Sequence, residues 1–255
     1  MRVSAGCQNV VSSKWLNRMI IRPDGDTLLF VTQPDHARLA AELLARWEAD
    51  GFPAHPRREM ILLAAREHDN GWRELDDEIV FDSVAGKPLD FVDTPLDPKQ
   101  AVWPRAVDRL AEISTYAAAL VARHALFIYE AHRGTPEWAE FFRRMAARLE
   151  VLRERAAIDA ADLESDYRFL CVADLLSLSF CSDWSSPHTR GGVSVTTRAG
   201  AMTIAPPVLG NARLPVRVRA RRIPARAYAS ASEVRAALED AALVLVTGEV
   251  RGEPA

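Results

Sequence analysis

The pattern of hydrophobic and polar residues has a helical period through the central part of the chain. Apolar residues recur there three or four positions apart, as on the buried face of an amphipathic helix. Five segments show this period: 32–51, 57–71, 104–132, 136–157 and 160–181. Thr32 and Asp35 form a capping-box pattern at the start of the first segment, Gly51 ends it, and Asn70-Gly71 ends the second. Five helices are therefore predicted, with the last and most apolar one at the centre.

Alternating apolar and polar residues, which are typical of strands, lie on both sides of the helical part. Residues 19–33 predict a hairpin around Pro23-Asp24-Gly25. After about residue 190, the runs GVSVTT, AMTIAP, LPVRVRARRI and ALVLVTGEV predict short strands, and Ser232 could cap a short helix. The Pro- and Asp-rich residues 72–103 predict a long, mostly irregular loop. The fold class that follows is mainly α: a helical bundle with a small β element from the C-terminal region and an N-terminal hairpin.

The predicted elements divide the chain into three parts. Residues 1–18 show no clear period, and Met19 would make a natural start, so we expect a disordered extension or a start-site artefact there. Residues 19–187 are predicted to form an α-helical metal-binding domain. Residues 188–255 are predicted to form a small α/β element packed on that domain.

Composition narrows the function classes. The chain has 255 residues, of which 49% are hydrophobic, so one large domain can bury a sizeable core. Its net charge of −3 does not favour nucleic acid or an anionic membrane as a partner. No uninterrupted run of about 18 apolar residues predicts a membrane span, and Cys171 and Cys181 are expected to be reduced core thiols. A cytoplasmic protein with a small-molecule substrate is expected, and a homodimer remains open.

Four ionisable residues lie on the apolar faces of four separate predicted helices: His36, His68, His124 and Asp174. A single histidine on such a face is more often a hydrogen-bonded core residue than a ligand. A buried carboxylate without a partner, however, carries a large desolvation cost. Three imidazoles that reach one carboxylate from three other helices suit a metal ion better than four unrelated exceptions do.

Asp69 follows His68 directly, at the end of the second predicted helix. Consecutive helical side chains point about 100° apart, so the two can share an ion only off the helix end, or Asp69 can bridge two ions. Asn70-Gly71 is predicted to end the second helix directly after these two residues. Imidazole with carboxylate is a ligand set for Fe, Mn, Co, Ni or Zn. Asp69 therefore joins the four residues above as a candidate ligand of one or two divalent transition ions, and it is also the candidate catalytic residue.

The order His36, then His68-Asp69, then Asp174 on successive helices resembles the HD superfamily, whose members are α-helical metal-dependent phosphohydrolases with a His…His-Asp…Asp ligand set. A closer likeness extends over residues 19–185 or so. Its segments are QPDHARLAAEL, EHDNGWRELD, FVDTPLDPK, YAAALVARHA and DLLSLSFC. They look like a bacterial HD-like family that is known only as a domain of unknown function.

The resemblance implies an HD-like fold for residues 19–187. It assigns the superfamily's metal-ligand roles to His36, His68, Asp69 and Asp174. His124 matches the histidine in the third core helix of the likeness. Dinuclear members add a histidine from a fourth helix, but residues 136–157 contain none. The residues that remain open as a replacement are His55, His188, Glu137 and Glu140.

Three functions remain open at this point. The first is hydrolysis of a phosphate ester by a metal-activated water, for which the candidate substrate-binding residues are Lys99, Arg73, Trp72 and Arg123. The second is a di-iron oxygenase that cleaves a small organic substrate with O₂, as some HD relatives do. A di-iron oxygenase requires one more histidine ligand than can be identified in this chain. The third is a non-catalytic metal-bound scaffold or sensor.

Overall fold

Six helices occupy most of the chain between residues 33 and 182. The structure is a computed structural model that describes residues 19–74, 79–93 and 96–253. The helices are α1 (Gln33–Leu44), α2 (Arg58–Glu67), α3 (Leu96–Ala111), α4 (Thr115–Ile128), α5 (Pro136–Arg155) and α6 (Ala160–Ser182). The predicted extension at residues 1–18 lies outside the described residues.

Capping explains where α1 begins. The hydroxyl oxygen of Thr32 accepts a hydrogen bond from the backbone N–H of Asp35 at 3.1 Å, which confirms the predicted cap. The helix ends at Leu44, however, and not at Gly51. Gly51 has a φ of 70° in the turn that follows, a left-handed conformation that glycine adopts without strain.

The single long helix predicted over residues 104–132 is wrong. Two helices, α3 and α4, cover this region because Ser114 begins a new one. Its hydroxyl oxygen accepts a hydrogen bond from the backbone N–H of Ala117 at 3.2 Å. α3 also begins inside the predicted irregular segment 72–103, at Leu96.

Seven strands form one curled sheet that joins the two ends of the chain. The strands of the protein are β1 (Ile20–Asp24), β2 (Thr27–Val31), β3 (Phe81–Asp82), β4 (Lys87–Pro88), β5 (His188–Arg190), β6 (Val193–Arg198), β7 (Ala201–Ala205), β8 (Leu214–Pro224) and β9 (Leu243–Gly252). The large sheet has the order β1-β2-β8-β9-β7-β6-β5, and β3 pairs with β4 in a separate sheet. β7 and β9 are parallel and the other pairs are antiparallel. β1 and β2 form the predicted hairpin.

The predicted fold class, mainly α with a small β element, is wrong. The structure is 51% helical and carries a seven-stranded mixed sheet, so it is an α/β fold. The period-two runs indicate strands correctly, but they carry no information about long-range pairing. β2 of the N-terminal hairpin pairs with β8 through Leu29 and Arg222, among other residues. This pairing makes one large sheet from the two ends of the chain.

The apolar helix α6 lies at the centre, as predicted. Every residue from Phe169 to Cys181 is buried, and α6 packs against α1, α2 and α4 and against β6 of the sheet. Cys171 and Cys181 are buried free thiols, as expected. None of the described helices has the length and apolar character that crossing a membrane requires.

The opposite face of the sheet is partly covered by a short helix, α7 (Ala231–Asp240). Val234 and Leu238 of α7 pack in a second apolar cluster with Phe30 and Ile223. The cap of α7 is Ser230 and not the predicted Ser232, because the hydroxyl oxygen of Ser230 accepts from the backbone N–H of Glu233. The candidate chemistry lies on the other side of the sheet, among the long helices.

Candidate metal centre

Four helices bring the five candidate ligands together. His36 lies in the first turns of α1, His68 is the C-cap of α2 and Asp69 follows it, His124 lies in α4, and Asp174 lies in the middle of α6. All five are buried, and Asp69 is the most exposed of them at 7%. His36, His68, His124 and Asp174 are buried, in agreement with their predicted places on apolar helix faces; their predicted role as metal ligands stays a prediction.

The turn after α2 depends on Gly71. Residues 70–74 form a 3-10 turn that packs against α3. A Cβ atom at Gly71 would lie 2.0 Å from the carbonyl oxygen of Val102, so only glycine allows this close approach. The close packing places the end of α2, with His68 and Asp69, against α3.

Four donor atoms form a tight group: Nε2 of His36, Nε2 of His68, Oδ2 of Asp69 and Oδ1 of Asp174. The two nitrogens lie 3.2 Å apart. Asp69 Oδ2 lies 3.3 Å from each nitrogen, and Asp174 Oδ1 lies 3.3 Å from His36 and 3.4 Å from His68. Donor atoms 3.2–3.4 Å apart are close enough to bind one ion at the distances of about 2.0–2.2 Å that imidazole and carboxylate ligands use.

Hydrogen bonds to the Nδ1 atoms of His36 and His68 determine that Nε2 of each imidazole faces the donor group. The carbonyl oxygen of Ala65 lies 2.7 Å from His68 Nδ1, so this nitrogen carries a hydrogen. The Ser177 hydroxyl donates to the Asp174 carbonyl oxygen at 3.0 Å and therefore accepts from His36 Nδ1 at 2.8 Å. In the neutral tautomers that result, both Nε2 lone pairs point at the two carboxylates.

Four electron-rich atoms therefore converge in a buried space. Without a cation they would repel one another, so either protons or a metal ion must lie among them. A histidine that donates its other nitrogen to a carbonyl or hydroxyl oxygen is the usual arrangement of a metal ligand. The four residues fit a divalent transition ion in donor type, and the two imidazoles fit it also in spacing and orientation.

In the metal-free protein, protonated histidines would take the place of the metal ion among the four donor atoms. Burial opposes the charged form of His68, but the charges and hydrogen bonds of Asp69 and Asp174 outweigh it and raise the pKa of His68 to about 9. The same balance raises the pKa of His36 well above its usual value. The histidines in turn hold the pKa of Asp69 and of Asp174 well below the usual range, against the effect of burial.

His124 behaves differently from the other two histidines. Its Nε2 lies 3.7 Å from Asp174 Oδ2, and its Nδ1 lies 3.1 Å from the hydroxyl of Tyr167. Burial, together with the positive charges of His68 and Arg190, lowers the pKa of His124 to about 3. His124 is therefore a neutral imidazole at physiological pH, as a metal ligand must be.

His124 belongs to a second possible donor group. Its three members are His68, His124 and Asp174. His68 and Asp174 are shared with the first group; Asp174 has a second oxygen that faces His124, whereas the Nδ1 of His68 is used by Ala65. One imidazole nitrogen binds one ion, so the two groups are alternatives for His68.

Arg190 on β5 contacts the same carboxylate. Its Nη1 donates to Asp174 Oδ2 at 2.6 Å. Sequence analysis did not single out this residue, because it follows the helical region and lies on a short strand with no motif around it. Only the pairing of β5 with β6 and the packing of α6 against both strands bring Arg190 to Asp174.

A cavity of about 370 Å³ opens onto the donor atoms. His36, Asp69, His124, Asp174 and Arg190 line one part of it. Aromatic and apolar side chains line much of the rest, among them Phe91, Trp103, Tyr129 and Trp184. This size and lining are typical of a small-molecule site.

Gln33 also lines the cavity and was not predicted. It is the first residue of α1, 2% exposed, and its Oε1 has no hydrogen-bond partner among the described residues. A buried amide oxygen without a partner costs free energy that a ligand donor could recover. The only signal in the sequence is its position three residues before His36.

The predicted substrate-binding residues are placed differently from one another. Trp72 and Lys99 line the cavity, and Lys99 Nζ donates to the carbonyl oxygen of Val92 at 2.5 Å. Arg123 instead pairs with Glu164 at 2.7 Å and stacks over Tyr167, outside the cavity lining. The side chain of Arg73 lies outside the described part of the structure.

The residues considered as replacement ligands lie elsewhere. His55 Nε2 lies 3.1 Å from Asp166 Oδ1, and His188 packs against Trp184. Glu137 and Glu140 are exposed on α5. None of these four belongs to either donor group found in the described residues.

Comparison with known proteins gives a family without a function. The family model described as "Protein of unknown function (DUF3891)" matches residues 19–224. The chain belongs to this family. No curated protein and no solved structure matches the chain.

The resemblance to the HD superfamily is wrong as an assignment. The family that matches carries no HD description. The large curled sheet also conflicts with an all-helical HD bundle. The His-Asp dipeptide and the inward-pointing histidines therefore do not identify a superfamily.

Proposed function

We propose that this protein is a metal-dependent hydrolase of a phosphate ester, with one divalent transition ion held by His36, His68, Asp69 and Asp174. The proposal is supported by two imidazole nitrogens that lie 3.2 Å apart, each of them 3.3–3.4 Å from one oxygen of Asp69 and one oxygen of Asp174. An ion at this position would lower the pKa of a bound water toward neutrality and screen charge on phosphoryl oxygens.

The side chains around the centre have separate roles in this proposal. Asp69 lines the cavity, and a carboxylate has two oxygens, so one can bind the ion while the other orients the attacking water. Ser177 and the Ala65 carbonyl keep His36 and His68 in the ligand orientation. The candidate ligands are buried, and the lower local dielectric strengthens the electrostatic interactions among them.

The cavity supports a small anionic substrate. Lys99 and Arg190 place two cationic side chains on its wall, and both suit phosphoryl oxygens. The aromatic walls suit an apolar or planar group attached to the phosphate. The amide of Gln33 offers one further polar contact to that group.

The di-iron oxygenase is a weaker proposal for this site. Two irons would need two complete ligand groups, and the two groups here share His68. The bond from Arg190 also uses the Asp174 oxygen that faces His124. These contacts favour one ion, and one ion suits hydrolysis better than di-iron chemistry.

The experiment is phosphate release by tag-free protein. The protein is stripped with a chelator, reloaded separately with Mn²⁺, Co²⁺, Ni²⁺, Zn²⁺ or Fe²⁺, and tested on aryl phosphates, nucleotides and sugar phosphates. We expect at least one ion to restore phosphate release that the chelated protein lacks. Metal-loaded protein that releases no phosphate from any substrate class would overturn the proposal.

A further inference from the structure

The two oxygens of the Asp174 carboxylate face different positive groups. Oδ1 belongs to the donor group with His36 and His68, at 3.3 Å and 3.4 Å. Oδ2 accepts a hydrogen bond from Arg190 Nη1 at 2.6 Å. A bridging carboxylate between two ions has the same arrangement, with one ion on each oxygen.

An ion bound by the second donor group would lie next to Asp174 Oδ2. His124 Nε2 lies 3.7 Å from this oxygen and completes the group with His68. The guanidinium already lies against Oδ2 and brings a permanent positive charge. Once His68 binds the first ion, only His124 and Asp174 Oδ2 remain from the second group, and two donors do not make a catalytic zinc-type site.

We propose that Arg190 takes the place of a second metal ion, so that the centre binds a single ion and the guanidinium binds the anionic group of the substrate. The inference rests on the metal centre of the proposed function and adds its stoichiometry and its anion-binding residue. A guanidinium has five N–H donors, and the bond to Asp174 uses one of them. The remaining donors can bind a phosphoryl or carboxylate group in the two-pronged geometry that arginine favours.

The position of Arg190 suits this role. Its side chain is 26% exposed, lines the cavity, and lies with the guanidinium carbon 5.6 Å from the centre of the Phe127 ring. The aromatic contact and the Asp174 bond hold the side chain in one orientation. One divalent ion cancels the charges of Asp69 and Asp174, so Arg190 leaves the centre with a net positive charge that attracts an anion.

The test combines metal content with the binding of inorganic phosphate. Wild-type protein, Arg190→Ala, Arg190→Lys and the control Arg213→Ala are loaded with Zn²⁺, dialysed, and analysed for metal and for phosphate affinity by calorimetry. Arg213 is a fair control because it is an exposed arginine that pairs with Glu249 at 2.8 Å on the sheet. Thermal unfolding verifies that each variant is folded.

We expect one equivalent of zinc in all four proteins. Phosphate affinity should fall at least about tenfold in Arg190→Ala and stay at the wild-type value in Arg213→Ala. Arg190→Lys, which keeps the charge and can keep the Asp174 bond, should bind phosphate more weakly than wild type and keep its zinc. It serves as the decisive variant if Arg190→Ala does not fold.

Three results would overturn the inference. Two equivalents of zinc in the wild-type protein would show that the centre binds a second ion despite Arg190. Unchanged phosphate affinity in folded Arg190 variants would remove its anion-binding role, and loss of zinc from them would leave Arg190 only a role in holding Asp174. A wild-type protein that binds no zinc or other transition ion would instead overturn the metal centre itself, and with it the proposed function.

Discussion

The Nδ1 nitrogen of His36 lies 2.8 Å from the hydroxyl oxygen of Ser177, one helical turn after Asp174 on α6. The same hydroxyl donates to the backbone carbonyl of Asp174 at 3.0 Å. α6 therefore supplies one candidate ligand and orients another that comes from α1. The candidate centre depends on this helix pairing as much as on the ligands themselves.

Replacing Ser177 with alanine should weaken metal binding without removing a ligand. His36 would lose the partner that keeps its Nε2 lone pair toward the ion, and such a loss commonly costs about tenfold to a hundredfold in metal affinity. The measurement is zinc affinity by competition with a chromophoric chelator. Ser179→Ala is the matched control, because Ser179 is equally buried on α6 but contacts Thr197 at 2.9 Å. Equal zinc affinities in the two variants would remove the orienting role of Ser177.

Replacing Asp69 with asparagine should abolish metal retention during dialysis. The variant keeps the size of the side chain but loses the negative charge and the strong oxygen ligand. Circular dichroism should show an unchanged helix signal, and elemental analysis should show less than about a tenth of the wild-type metal. Asp35→Asn is the control, since Asp35 lies in the first turn of α1 and pairs with Arg38 outside the donor group. An Asp69→Asn protein that retains its metal would contradict the assignment of this ligand.

The binding of a metal ion should release protons, and the pKa values of the histidines determine the direction of the resulting pH dependence. The pKa of His68 in the metal-free protein is about 9, so at pH 7.5 this imidazole is charged and must lose its proton to bind an ion. His36, whose pKa is also raised, adds to this release, whereas His124, with a pKa of about 3, adds nothing. Zinc affinity should therefore rise with pH between pH 6.5 and 9, by about tenfold per pH unit for each released proton. Above pH 9 the affinity should stay constant. Calorimetry in buffers of different ionisation enthalpy counts the protons, and a count of zero at pH 7.5 would be the contrary result.

A buried carboxylate outside the donor groups, Asp166, should matter for stability and not for metal binding. Asp166 accepts a hydrogen bond from Arg57 Nε at 2.6 Å, is also bonded by the hydroxyl of Tyr116, and lies 3.1 Å from His55. Arg57 is partly exposed, so Asp166→Ala should lower the free energy of unfolding by about 2 kcal/mol. Denaturant unfolding measures this loss, and the metal content should stay at one equivalent. A loss of metal in this variant would mean that the two buried clusters are coupled.

Local pattern predicted most of the helices and the burial of four of the candidate ligands. Thr32 begins α1 as its side-chain chemistry requires, and the apolar residues around Asp174 place it inside the protein. Both features depend on residues close in sequence, which hydrophobic period and capping describe directly. The break at Ser114 was missed because the apolar period continues across it.

Features that depend on long-range pairing could not be predicted in this way. The joining of β2 to β8 decides the fold class, and no local signal in either strand names the other as its partner. The same holds for Arg190, which reaches Asp174 only through the sheet. Arg123 shows the opposite error, since its nearness to His124 in sequence suggested a substrate role while its side chain pairs with Glu164.

The most direct test of the central claim is elemental analysis of the protein purified without a His tag. We expect close to one equivalent of a transition metal per chain, either as isolated or after reloading with Mn²⁺, Fe²⁺, Co²⁺, Ni²⁺ or Zn²⁺ and dialysis. A His36→Ala and Asp174→Ala double variant should carry none under the same treatment. Wild-type protein with no transition metal above trace levels after every reloading would contradict the account.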